Sequence, residues 1–277
     1  MKIKKLKNKI VIENPVDFNA KQIVTCGQIF RYNINENKVT IFTKNKKCEV
    51  VTNKNKVEIL CKDVDYFFNF FDLNTNYSLI KNQLKKDKFL SPAIDYGYGI
   101  RILKNDLFEI IVSFIISANN NISRIKNSIE ILCKNFGSDM GDFFAFPTLL
   151  QLKNATINDF KLAGLGYRAG QLYSTIQNLK DSDIQTLKTM PKSEQEKFLL
   201  TLKGVGEKVK NCIMLFALNS TNSFPVDTWI NKAYNNLTNT TNKNRLQITK
   251  ELEEKYKNLS GYAQQYFFYY YRENKIK

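Results

Sequence analysis

Lys208 and Asp227 are the side chains best placed in this sequence for covalent chemistry, and a Gly-x-Gly turn stands just before the lysine. In KFLLTLKGVGEKVKNCIMLFAL (197–218), the run Leu202-Lys203-Gly204-Val205-Gly206 joins two helical patterns. Such a hairpin needs glycine where φ is positive or where the backbone must come close to something. Its N–H groups and the start of the next helix suit a phosphate. A plain helix–helix turn has the same signature, so the glycines alone decide nothing. Lys208 falls in the first turn of the second helix, where the macrodipole disfavours an ammonium. An uncharged lysine amine is a nucleophile able to form a Schiff base. Asp227, in FPVDTW (224–229), follows Pro225 and precedes another helical pattern. It reads as an N-cap, or as a carboxylate near Lys208 that stabilises positive charge developing on a sugar. Each residue singly has a structural reading; their co-occurrence points to chemistry.

A helical body has to hold these residues. From Asp63 onward the pattern is helical: DLFEIIVSFIISA (106–118) is nearly all apolar and reads as a buried helix. In ISRIKNSIEILCKNF (122–136), Ile122, Ile125, Ile129 and Leu132 share one face. Further helices are expected over 168–180, 193–202, 207–219, 228–237, 245–257 and 262–273. Residues 1 to about 61 read instead as strands, in IVIEN, QIFRYNI, KVTIFTK, CEVVTN and VEILCK. Turn-like NENK, KNKK and KNK between the later ones suggest an antiparallel meander. The expected class is α+β, with a small antiparallel β-sheet domain and flanking helices over 1–98, then an all-α body over 99–277.

The chain has 277 residues, of which 43% are hydrophobic, enough to fill real cores and to exclude wholesale disorder. Charge interrupts every apolar run well short of the roughly 18 residues a membrane span needs. The basic start, MKIKKLKNKIVIENP, lacks the apolar region of a signal peptide. Five scattered cysteines (26, 48, 61, 133, 212) without a C-x-x-C pair argue for reduced cytosolic thiols, against a disulfide frame or zinc site. A net charge of +16 favours a polyanion, foremost nucleic acid, with an anionic membrane surface second. Solubilising surface lysine in a Lys- and Asn-rich composition accounts for the same charge.

Five segments carry a resemblance. LKGVGEKVKNC with FPVDTW resembles the helix-hairpin-helix plus Gly/Pro/Asp signature of the base-excision DNA glycosylase superfamily, with Lys208 and Asp227 nineteen positions apart. CGQIFRY (26–32), SANNNISRI (117–125), GLGYRA (164–169) and GYAQQYFF (261–268) narrow the likeness to the 8-oxoguanine DNA glycosylase family. The body over 99–277 is then a helix-hairpin-helix glycosylase body, with the hairpin at about 193–219 and the aspartate loop at 224–229.

The resemblance implies a bifunctional enzyme. Lys208 attacks C1′ of the damaged nucleotide, expels the base and leaves an imine, from which loss of the 3′ phosphate nicks the strand. Asp227 stabilises the oxocarbenium-like transition state and positions the lysine. Phe268 and Cys212 sandwich the extruded base, and Gln264 reads its Watson–Crick edge. Gly27 presents a backbone carbonyl to N7, which bears hydrogen in 8-oxoguanine and a lone pair in guanine. Asn119, Arg124 and Arg168 hold the partner base, and Tyr167 wedges into the duplex. Gly204, Val205 and Gly206 bind phosphate. The implied partner is duplex DNA containing 8-oxoguanine, met by a cytoplasmic, microbial, monomeric enzyme without membrane attachment. No metal or organic cofactor is implied.

Two positions depart from the family. Animal and fungal members carry a phosphate-binding histidine two residues after the aspartate; this chain has no histidine, and Trp229 stands there. Its indole donates one hydrogen bond but no charge. An acidic residue that supports the histidine is replaced by Tyr271. Partner-base recognition is therefore expected to be less strict. Relatives with a four-cysteine iron–sulfur cluster fit less well, since no cysteine follows Cys212. Alkylation-repair relatives have no use for Lys208. A non-catalytic hairpin protein that binds phosphate alone has none for Lys208, Asp227 and Gly27 together.

Overall fold

The computed structural model describes residues 1–274. The N-terminal part is a six-stranded antiparallel sheet of β1 (Lys2–Leu6), β2 (Lys9–Glu13), β3 (Tyr32–Asn35), β4 (Lys38–Thr43), β5 (Lys46–Asn53) and β6 (Lys56–Cys61). The sheet order is β1-β2-β6-β5-β4-β3, so the last four strands form the expected meander and β2 joins it at β6. In β4 every second side chain (Val39, Ile41, Thr43) is buried, which is why this half-polar segment is a strand.

Three details differ from the sequence reading. β1 is an additional strand: KIKKL buries only part of Ile3 and lies at the sheet edge. Its lysines, two of them paired with Glu13 and Asp65, keep that edge from templating another chain. Ala20–Thr25 is a helix within a stretch read as strand. Asn19 caps it by accepting from the Gln22 N–H at 3.1 Å, and Ala20, Ile23 and Val24 bury one helical face. QIFRYNI is extended only from Tyr32, because Gln28 turns inward and donates to the carbonyls of Ile23 (3.0 Å) and Arg101 (2.8 Å).

The helical body follows, each expected helix lying within two or three residues of its predicted bounds. Leu107–Ser117 is its axis, with all residues but the last buried and Asp106 accepting from the Phe108 and Glu109 N–H groups. It packs against Ile122–Phe136, Arg168–Asn178 and Glu207–Phe216. Each large apolar side chain fully buried there contributes about 1.5–3 kcal/mol. Among the described residues no helix is long and apolar enough to cross a membrane. All five cysteines are free and buried.

The molecule has two apolar cores, one beneath the sheet and one within the helices. Polar stitches join them. Arg31, 2% exposed, donates to Glu130 (2.8 Å) and the Phe144 carbonyl (2.7 Å). Glu109 accepts from the Lys44 N–H in the β4–β5 turn at 2.8 Å. These stitches hold the CGQIFRY segment, and hence Gly27, against the helical body.

Candidate active site

The hairpin forms as its glycines demand. Lys192–Thr201 and Glu207–Phe216 are joined by a turn in which the Val205 N–H donates to the Leu202 carbonyl at 3.1 Å. Gly204 has φ +86°, and a Cβ there would come within 3.1–3.2 Å of Ile115 and Gln171. Glycine is needed at Gly204 both for its conformation and for its packing. Gly206 is extended, and a Cβ there would meet nothing within 4 Å, so its bareness faces open space in the cleft.

Lys208 projects, half-buried, from the first turn of Glu207–Phe216. Its Nζ lies 5.1 Å from the centre of the Phe114 ring and, among the described residues, makes no ion pair. Asp227 caps Thr228–Thr238, its Oδ1 accepting from the Ile230 N–H at 2.9 Å. Burial raises the Asp227 carboxyl above the usual carboxylate range, against the pull of that N–H and of the Lys208 charge. Capping and nearness to the lysine coexist. Cys212 lies one turn beyond Lys208; burial raises its thiol, against the pull of the same lysine.

A cavity of about 50 Å³ is lined by Gly27, Lys208, Cys212, Asp227, Gln264 and Phe268 among others. The fold thus gathers six predicted residues, separated by up to 241 positions in sequence, around one space. That space is solvent-sized rather than purine-sized. Gly27 explains why: φ is +83°, and a Cβ there would sit 2.8 Å from Phe268 Cε1. The Phe268 ring therefore lies on the glycine. Gln264 is occupied as well, accepting from Gln265 at 2.8 Å and donating to the Pro225 carbonyl at 3.4 Å. The cavity adjoins a cleft of about 1070 Å³ lined by Asn119, Gly204, Gly206, Trp229 and Arg245 among others.

Of the remaining predicted residues, Asn119, Gly204, Gly206 and Trp229 line this cleft, whereas Arg124, Tyr167, Arg168 and Val205 do not. Asn119 takes a left-handed conformation (φ +48°) after the central helix. Arg168, only 7% exposed, turns inward and donates to the Ala118 and Asn119 carbonyls, with its guanidinium 4.5 Å from the Tyr167 ring centre. It holds the Asn119 loop. Tyr167 is 61% exposed, and Arg124 is exposed on the first turn of Ile122–Phe136. Val205 is buried under the hairpin. Trp229 lines the cleft, whereas Tyr271 is buried against Phe267 and Tyr270. Sequence reasoning missed Phe114, hidden in an all-apolar helix. It also missed Arg245, in a polar run without signal, which reaches Thr228 Oγ1 at 3.3 Å and whose charge opposes the burial that raises the Asp227 carboxyl.

Hairpin and aspartate loop together place the molecule among the helix-hairpin-helix base-excision proteins. Residues 112–258 match the HhH-GPD superfamily of base excision DNA repair proteins, and residues 10–111 match the 8-oxoguanine DNA glycosylase N-terminal domain. The chain belongs to the 8-oxoguanine DNA glycosylase family. It is 30% identical over 241 residues to the probable N-glycosylase/DNA lyase of Methanothermobacter thermautotrophicus, covering 78% of this chain and 76% of that protein. It is 36% identical over 177 residues to the N-glycosylase/DNA lyase of Saccharomyces cerevisiae, covering 57% of this chain and 46% of the yeast protein. Its fold superposes with a TM-score of 0.92, at 36% identity, on the Clostridium acetobutylicum 8-oxoguanine glycosylase/lyase in complex with dsDNA containing cytosine opposite 8-oxoG. That match covers 100% of this chain and 99% of the other.

Proposed function

We infer that this chain is a bifunctional DNA repair enzyme that excises 8-oxoguanine from duplex DNA and then cleaves the strand. The lesion leaves the stack, at a cost of a few kcal/mol, and enters the pocket between Phe268 and Cys212, with Gln264 on its Watson–Crick edge. The Gly27 carbonyl accepts from N7–H of the lesion and repels the N7 lone pair of guanine. Lys208 Nζ bonds to C1′ as the glycosidic bond breaks, and the bonding pair leaves with the base. Asp227, held by its own cap, stabilises the positive charge on the sugar. Ring opening gives the imine; removal of a C2′ proton then expels the 3′ phosphate, and hydrolysis frees Lys208.

Support for these roles comes chiefly from one observation: Lys208, Asp227, Gly27, Cys212, Gln264 and Phe268 line a single cavity. Asn119, Arg124 and Arg168 are assigned to the partner base, Tyr167 to the wedge, and Gly204, Val205, Gly206 and Trp229 to the backbone. Arg168 must release the Ala118 and Asn119 carbonyls to reach a base. On this reading the enzyme acts as a monomer in the cytoplasm of a microbial cell, where the chromosome is.

The test is borohydride reduction of the protein with an 8-oxoguanine:cytosine duplex. A covalent adduct with the wild type, and none with Lys208→Gln, supports the Schiff base. The variant should lose at least about a thousandfold in base removal while keeping lesion binding within a few-fold. An adduct that persists in the variant would reassign the nucleophile, and collapse of binding would make Lys208 structural.

A further inference from the structure

Nothing in that chemistry uses Arg272, the last basic residue of Ser260–Glu273 and one helical turn beyond Phe268. Its Nη2 donates to the Thr25 carbonyl, and its Nε and Nη2 contact Glu273 at 3.0 and 2.7 Å. Nη1 is different. It is shielded from solvent and, among the described residues, has no acceptor. Leaving a charged donor buried and unpaired is costly, and the surroundings locate what is missing. A Cβ on Gly27 would lie 3.5 Å from Nη1 and 2.8 Å from Phe268 Cε1. The guanidinium stands 4.9 Å from the centre of the Phe268 ring. An unused donor therefore sits beside Gly27, under the aromatic ring that fills the base pocket.

The lesion differs from guanine along one edge. 8-Oxoguanine presents N7–H, a donor, beside C8=O, an acceptor; guanine presents an N7 lone pair beside C8–H. Among the described residues the Gly27 carbonyl accepts no backbone hydrogen bond, and it complements the donor half of that edge. We propose that Arg272 is a specificity-determining residue whose Nη1 donates to O8 of the extruded base. The inference rests on the reading that 8-oxoguanine occupies this pocket. When Phe268 moves off Gly27 to admit the base, Arg272 loses the face of the ring and gains O8. As the glycosidic bond breaks, the pair that leaves with the base spreads onto O8, so this charge-assisted bond strengthens toward the transition state.

Two measurements test this under single-turnover conditions. In Arg272→Met, excision of 8-oxoguanine relative to nicking of an abasic-site duplex should fall about tenfold to a hundredfold, with Arg272→Lys recovering part of it. In the wild type, 8-thioguanine, whose sulfur is a weak acceptor, should be excised more slowly than 8-oxoguanine, and Arg272→Met should narrow that gap. A parallel fall in abasic-site nicking would mean a structural role and overturn the proposal. Equal wild-type rates on the oxo and thio bases would overturn it without any variant. Failure of the wild type to excise 8-oxoguanine or to form the borohydride adduct would instead sink the underlying functional reading.

Discussion

Gly27→Ala perturbs conformation and packing at once. A residue with Cβ at φ +83° is in left-handed space, at a strain of about 1–2 kcal/mol. The added methyl would also sit 2.8 Å from Phe268 Cε1, where ordinary contact begins at 3.4 Å, so the ring must retreat by several tenths of an ångström. Phe268 is half-buried at the pocket mouth and can make that move, so the expected loss of folding stability is about 1–2 kcal/mol. The consequence for the lesion is larger than for the fold. In the filled pocket the methyl stands between the base and the Gly27 carbonyl, removing a hydrogen bond worth about 1–3 kcal/mol. Preference for 8-oxoguanine over guanine should then fall by roughly five- to a hundredfold. The assay is single-turnover excision on lesion and normal duplexes, with binding to an abasic-site duplex and a thermal melt alongside. Equal losses on lesion and normal DNA, or a melt shifted far beyond the strain energy, would refute the pocket assignment.

Glu109 is buried, and burial raises its carboxyl from 4.5 to about 7. The stability it contributes is complete below pH 4.5, where folded and unfolded states both hold the proton, and is lost as pH rises through 7. Wild type should therefore lose on the order of 2–3 kcal/mol more than Glu109→Gln between pH 5 and pH 8 in denaturant titrations; parallel curves would show that the buried charge is otherwise compensated. Arg245→Ala should weaken binding to lesion and normal duplexes alike and lower the slope of log affinity against log salt by about one; an unchanged slope would remove Arg245 from the phosphate path. With Trp229 in place of histidine, excision opposite adenine, guanine or thymine should lie closer to that opposite cytosine than it does in animal relatives, and a steep cytosine preference in single-turnover rates would contradict this.

The hairpin, the aspartate cap and most helices were legible because their signals are local. Gly204 announces a positive φ, Asp227 stands where a cap is needed, and the run from Leu107 is apolar enough to be read as buried. β1 and the helix Ala20–Thr25 were not legible. A lysine-rich edge strand pairs on one side only, and a six-residue helix depends on Asn19 and on the core beneath it.

The sequence by itself determined the class of chemistry, since Lys208 and Asp227 are set by turn and cap rules that act over a few residues. Only the tertiary structure brings the distant pocket residues, expected from the resemblance, around one space. Gly27 arrives there from the β domain, held by the stitches of Gln28 and Arg31, and Phe268 from the C-terminal helix. It alone turned Arg168 inward to the Ala118 and Asn119 carbonyls and left Arg272 Nη1 without an acceptor among the described residues. The reason is physical: a helix or turn is chosen by neighbours along the chain, whereas the partner of a buried charge is chosen by whatever packing brings within 3 Å of it.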